Sequence, residues 1–125
     1  MSKGVARVAL TFVHVGLTLL LAFLCVVLLQ PEATFDTGQG YAVMAEMATE
    51  DQWACVFGAG AILGTISYFT RSRAFKLCTA AALSAIHAVV GTAIVIANPV
   101  SIGSGAYFFI AAMGGFLTWA TCHGD

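Results

Sequence analysis

The chain has 125 residues, 60% of them hydrophobic and 9% charged, with a formal net charge of -1. Soluble domains carry about 25% charged residues, so this composition lacks the polar surface of a water-soluble fold, and its near-neutral balance points away from a nucleic-acid partner. The apolar residues run in long blocks and do not alternate over segments of about ten, which excludes an outer-membrane barrel and leaves a polytopic helical membrane protein.

Residues 1–7 are short and basic through Lys3 and Arg7, and residues 8–29 then run without a charge. A bilayer core takes about 20 helical residues, so this block is a first span. A basic start before an apolar run also marks a secretory signal. This run is longer than such a core, however, and Pro31, Glu32 and Ala33 make a poor cleavage site. A retained span closed by Pro31 is therefore expected.

Residues 30–52 form the substantial loop, an acidic one carrying Glu32, Asp36, Glu46, Glu50 and Asp51. Gly38, Gln39 and Gly40 read as a flexible break. Beyond it Tyr41, Met44, Met47 and Ala48 share one helical face, with Glu46 and Glu50 off it. That is the pattern of a short helix on the membrane surface; a solvated loop with some helical character is the alternative. Thr49 and Gln52 have the spacing of a capping box, and Glu50 and Asp51 suit the positive end of a helix dipole. A second span over 53–70 follows, with Trp53 expected in the interfacial aromatic belt and Tyr68 near the other interface. The third span, 75–97, stops at Asn98, because a residue before proline is pushed out of helical geometry. A tight turn over 99–104 leads into a fourth span, 105–122.

Arg71, Arg73 and Lys76 form the positive cluster beyond the N-terminus, in a hinge over 71–76 between the second and third spans. With four spans, Lys3, Arg7, Arg71, Arg73 and Lys76 fall on one side and the acidic loop on the other. The positive-inside rule then predicts an all-α membrane protein with a single domain of four transmembrane helices in two hairpins. Both termini are expected to be cytoplasmic, in an inner or plasma membrane.

Each span carries a small or polar stripe at steps of three and four. The first has Arg7, Thr11, His14, Thr18, Leu21 and Cys25; the second has Phe57, Gly60, Gly64, Ser67 and Arg71. The third has Ala80, Ser84, His87, Ala88 and Gly91; the fourth has Ala111, Gly114, Gly115, Thr118 and Cys122. Lipid tails are as apolar as leucine, so small residues mark where helix backbones approach. The pairs Gly60/Gly64 and Ala111/Gly115 serve either packing within one chain or association between chains. Gly58 lies about 200° from Gly60 around a helix, so the second span is expected to meet neighbours on two sides.

His14 and His87 are the ionisable groups inside the predicted spans, where burying a polar side chain is expensive. At 1.5 Å per residue they lie about 9 Å and about 16 Å from the basic edge. They are not level, which argues against a shared metal. A hydrogen bond to a hydroxyl or backbone carbonyl competes with a proton or ion path, for which Thr11, Thr18 and Ser84 would be the polar neighbours. The four cysteines lack metal-ligand spacing and read as small hydrophobes, with a Cys25–Cys55 disulfide on the outer side as the alternative. No cofactor is expected.

Small four-helix multidrug exporters share this length but depend on a glutamate in the first helix, where this chain has His14, and the asparagine and phenylalanine signature of fluoride channels is missing. In size and charge layout the chain resembles phage holins, a class defined by shape more than by motif. That resemblance implies self-assembly in the lipid bilayer into a pore or lesion. In such an assembly the acidic loop, through Glu46, Glu50 and Asp51, would ring the mouth and favour cations. Two other expectations stand beside it: an accessory, immunity or exclusion protein bound to another membrane protein, and a small transporter with a histidine-containing path. No nucleophile, base and orienting acid fall within reach of one another by sequence, so no enzyme is expected.

Overall fold

The computed structural model describes residues 3–30, 34–37, 39–98 and 102–123. Their elements are α1 (Lys3–Leu28), two short 3-10 turns (Phe35–Thr37 and Gln39–Tyr41), α2 (Ala42–Met47), α3 (Glu50–Phe69), α4 (Arg73–Ala97) and α5 (Ile102–His123). No strand occurs among the described residues. Three helices are long and apolar enough to cross a membrane: α1 over Arg7–Leu28, α3 and α4. The apolar stretch of α5, Gly105–Ala120, is shorter. The described residues are all-helical, and three of the helices have the length and apolarity of membrane spans.

Local chemistry sets the helix ends. At the head of α3 the Thr49 N–H donates to Gln52 Oε1 (3.0 Å) and the Gln52 N–H to Thr49 Oγ1 (3.3 Å), which satisfies two donors that a helix start leaves open. Glu50 accepts from the Phe35 N–H and ties the loop to the same end. The expected hinge over 71–76 shrinks to Thr70, Arg71 and Ser72, because the Phe75 N–H donates to Ser72 Oγ (3.3 Å) and α4 starts at Arg73. A cluster of cations between two apolar blocks reads as a turn, and cations in a first turn oppose the helix dipole; the Ser72 cap starts the helix nonetheless. The end of α4 lies where expected, with the Asn98 N–H on the Ile94 carbonyl (2.8 Å). Among the described residues α1 already runs from Lys3, ahead of the expected span from residue 8, and α5 from Ile102, ahead of the expected span from 105. Pro31, Glu32, Gly38 and Pro99, to which breaks or charge were assigned, lie outside the described residues.

Packing runs mainly between α1 and α3 and between α4 and α5, with a lesser contact joining α3 to α4. Leu17, Leu21, Phe57, Leu83, Val90 and Leu117 fill the centre. The outward ridge of α1 is bulky and apolar, with Val8, Phe12, Val15, Leu19, Phe23 and Val26 exposed. A surface of this kind suits lipid.

The acidic loop closes one end of the bundle. Gln39 and Gly40 are not a break; their 3-10 turn runs straight into α2. Met44 on α2 is buried, and the Trp53 indole N–H donates to the Met44 carbonyl (2.9 Å). Trp53 is thus a core residue beside Phe57, their rings tilted and 5.6 Å apart, not a member of a lipid-facing belt. Met47, expected on the same apolar face as Met44, is exposed.

Candidate functional site

Two joints hold the bundle, and the predicted polar residues divide between them. At the first, between α1 and α3, the His14 Nε2–H donates to the Gly64 carbonyl (2.7 Å) and Thr18 Oγ1 donates to the His14 carbonyl (2.9 Å). Only a residue without a side chain fits at Gly64: a Cβ there would collide with Thr18 Oγ1 and stand 3.1 Å from its Cγ2. One turn on, Leu21 Cδ1 lies 2.7 Å from where a Gly60 Cβ would be, and Cys25 Sγ lies 3.1 Å from that of Gly58. Gly58 and Gly60 therefore both meet α1, and the expected second neighbour of α3 is α4. Gly60 is the residue that also borders α4, through Ile86 and Leu83.

At the second joint, between α4 and α5, Ser84 Oγ donates to the Ala111 carbonyl (2.7 Å). A Cβ on Gly114 would lie 2.9 Å from Ser84 Cβ and 3.0 Å from its Cα, so the two backbones nearly touch. Gly91 meets Tyr107 in the same way, at 3.1 Å. Gly115 is exposed, and a Cβ there would come no closer than 3.9 Å to Ser84 Oγ. The close backbone approach in α5 is at Gly114, with Ala111 contributing its carbonyl and Gly115 left exposed.

His87 stands apart from His14. It is wholly buried, its Nδ1–H donates to the Leu83 carbonyl of its own helix (2.7 Å), and its Nε2 has no partner. Among the described residues no three His, Cys, Asp or Glu side chains come together. All four cysteines are free; Cys25 packs at Gly58, and Cys55 is exposed.

Away from the acidic loop, at the end where α3 finishes and α4 begins, a cleft of about 210 Å³ opens between the helices. Arg7, Thr11 and His14 line it from α1, Ser67 and Tyr68 from α3, and Lys76 from α4, over a floor of Leu10, Ala80 and Leu117. Ser67 has no exposed surface, and its Oγ has no hydrogen-bond partner. Arg73, at the same end, donates to the Cys122 carbonyl and closes the C-terminal end of α5, where a cation offsets the helix dipole. Arg71 is exposed and does not line the cleft. Glu46 and Asp51 are exposed and Glu50 half-buried, at or beyond the far end of α3.

The cleft draws together residues that the sequence sorts under separate headings. Arg7 and Lys76 stood out for topology, Ser67 for packing, and Thr11 and His14 as intramembrane polar groups. The signal on α1 was visible, since Arg7, Thr11 and His14 recur at helical spacing. The levels at which Ser67 and Lys76 meet them depend on how the helices slide past one another. Set against family models, curated proteins and solved structures, the chain finds no match.

Proposed function

We propose that the chain is a four-span protein of an inner or plasma membrane, with both termini cytoplasmic, that acts by assembling with copies of itself into a pore-like or lesion-forming complex. The 22 residues of α5 extend about 33 Å at 1.5 Å each, which supports a fourth crossing despite its shorter apolar stretch. Arg7, Lys76 and Arg73 gather at one end of the bundle, and the positive-inside rule puts that end in the cytoplasm.

The observation that carries the assembly is the outer face of α4. Cys78, Ala81, Ala82 and Ala85 form an exposed row of small residues, and in lipid such rows are where a second helix comes close. The glycine stripes that might have served are consumed inside the protomer, at Gly60, Gly64, Gly91 and Gly114. Leu21, Phe57, Leu83 and His87 occupy the interior. A water path therefore belongs between protomers, where exposed Glu46 and Asp51 favour cations over about 8 Å in physiological salt.

The test is disulfide cross-linking in a background lacking the native cysteines, joined to ion flux from liposomes. Ala85→Cys should cross-link into dimers and Phe12→Cys, on the bulky α1 ridge, should not. Ala85→Leu should abolish flux and leave the protomer's melting unchanged. A single-protomer mass with silent liposomes overturns this reading and favours an accessory protein bound to another membrane protein.

A further inference from the structure

We propose that the cleft at the basic end is a binding site for a phosphate group, presented by an anionic lipid headgroup or by free phosphate. Its cations come from two helices, Arg7 on α1 and Lys76 on α4, and no carboxylate is among the described residues that line it. Two cations facing one cleft repel each other unless an anion sits between them.

Ser67 supplies the independent sign. A buried hydroxyl without a partner forfeits its hydration for nothing, and such groups are rare enough in folded proteins to need a cause. Ser67 lines the cleft, is wholly buried, and its Oγ makes no hydrogen bond. An oxyanion oxygen in the cleft would accept a hydrogen bond from it.

The other polar neighbours narrow the ligand. Thr11 Oγ1 already donates to the Arg7 carbonyl (3.0 Å), and His14 Nε2–H to Gly64. The Arg7 guanidinium and Lys76 ammonium can only donate, and the Ser67 and Tyr68 hydroxyls can donate as well as accept, which suits a ligand rich in acceptor oxygens. The volume of about 210 Å³ falls below the roughly 300–1,000 Å³ of pockets for drug-sized ligands, and fits a headgroup or a small anion. Basic pockets between spanning helices on the cytoplasmic side are where anionic headgroups bind. The site belongs to one protomer, so failure of the assembly would leave it untouched.

Native mass spectrometry of the full chain, released from vesicles of phosphatidylglycerol and phosphatidylcholine, reads retention of each lipid, and titration with inorganic phosphate reads any rise in melting temperature. Phosphatidylglycerol should be retained over phosphatidylcholine, or phosphate should raise the melting temperature; the first assigns a lipid source, the second a free one. Ser67→Ala, which keeps every charge and hence the topology, should weaken binding about tenfold, the loss of one charge-assisted hydrogen bond. The double variant Arg7→Gln, Lys76→Gln should abolish it, while Arg71→Gln, outside the cleft, should bind as the parent does. No preference for either probe, Ser67→Ala binding at parental strength, or an equal loss in Arg71→Gln overturns the site.

Discussion

Gly114 and Gly115 are adjacent and identical, yet a single methyl group should separate them. At Gly114 the added Cβ would stand 2.9 Å from Ser84 Cβ and 3.0 Å from its Cα, and backbone does not rotate out of the way. Overpacking of this kind costs about 1–3 kcal/mol, against a gain in helix propensity of about 1 kcal/mol for replacing glycine. Gly114→Ala should therefore lower the melting temperature in detergent. Gly115→Ala meets nothing closer than 3.9 Å and should be neutral or stabilising by up to about 1 kcal/mol. Equal melting of the two would move the α4–α5 contact elsewhere. The Ser84–Ala111 hydrogen bond beside it is the smaller effect, since such bonds between membrane helices average about 0.6 kcal/mol. Backbone approach is what holds this joint.

At the scale of an element, α2 shows a helix made by its surroundings. It has 6 residues, and isolated helices shorter than about 12–15 residues are marginal in water. What holds it is the buried Met44 side chain and the bond from the Trp53 indole to the Met44 carbonyl. Trp53→Phe keeps an aromatic ring in the core and removes that bond, at a cost of about 0.5–1.5 kcal/mol. Amide exchange should quicken over residues 42–47 while the centre of α3 stays protected. Exchange unchanged in α2 would mean that ring packing alone retains it. The same logic explains why Trp53 reads from sequence as an interfacial anchor: an indole near a helix start has an apolar body and a polar tip, and only the fold shows that the tip is satisfied from within.

For the whole molecule the decisive question is which ends face which compartment. Ala45 on α2 and Ala74 on α4 are exposed and lie beyond opposite ends of α3, so neither substitution disturbs a cap or a charge. In a background lacking the other cysteines, Ala45→Cys should react with an impermeant thiol reagent in whole cells, and Ala74→Cys only after lysis. Cys122, native and exposed at the end of α5, should behave like Ala74→Cys when it is the sole cysteine. Reaction of Cys122 from outside would remove the fourth crossing; reversal at the first two positions would invert the protein.

Helix by helix, the local pattern was legible because an α-helix is a local object: its period, its caps and the length of an apolar run all lie within a few residues. The capping box at Thr49 and Gln52 and the stop at Asn98 belong to that class. The start of α4 escaped it, because the Ser72 cap competes with three cations whose charge points to a turn. Relations between helices are of another kind. Whether Gly114 or Gly115 meets α4 turns on a rotation of about 100° around the α5 axis, and the convergence of Arg7, Ser67 and Lys76 on one cleft turns on how far α1, α3 and α4 slide along one another. No local energy selects these; they follow from the sum of contacts along whole helix pairs. The sequence by itself determined that this chain makes apolar helices with basic and acidic ends, and only tertiary packing decided which small residues became joints and which polar ones became a site.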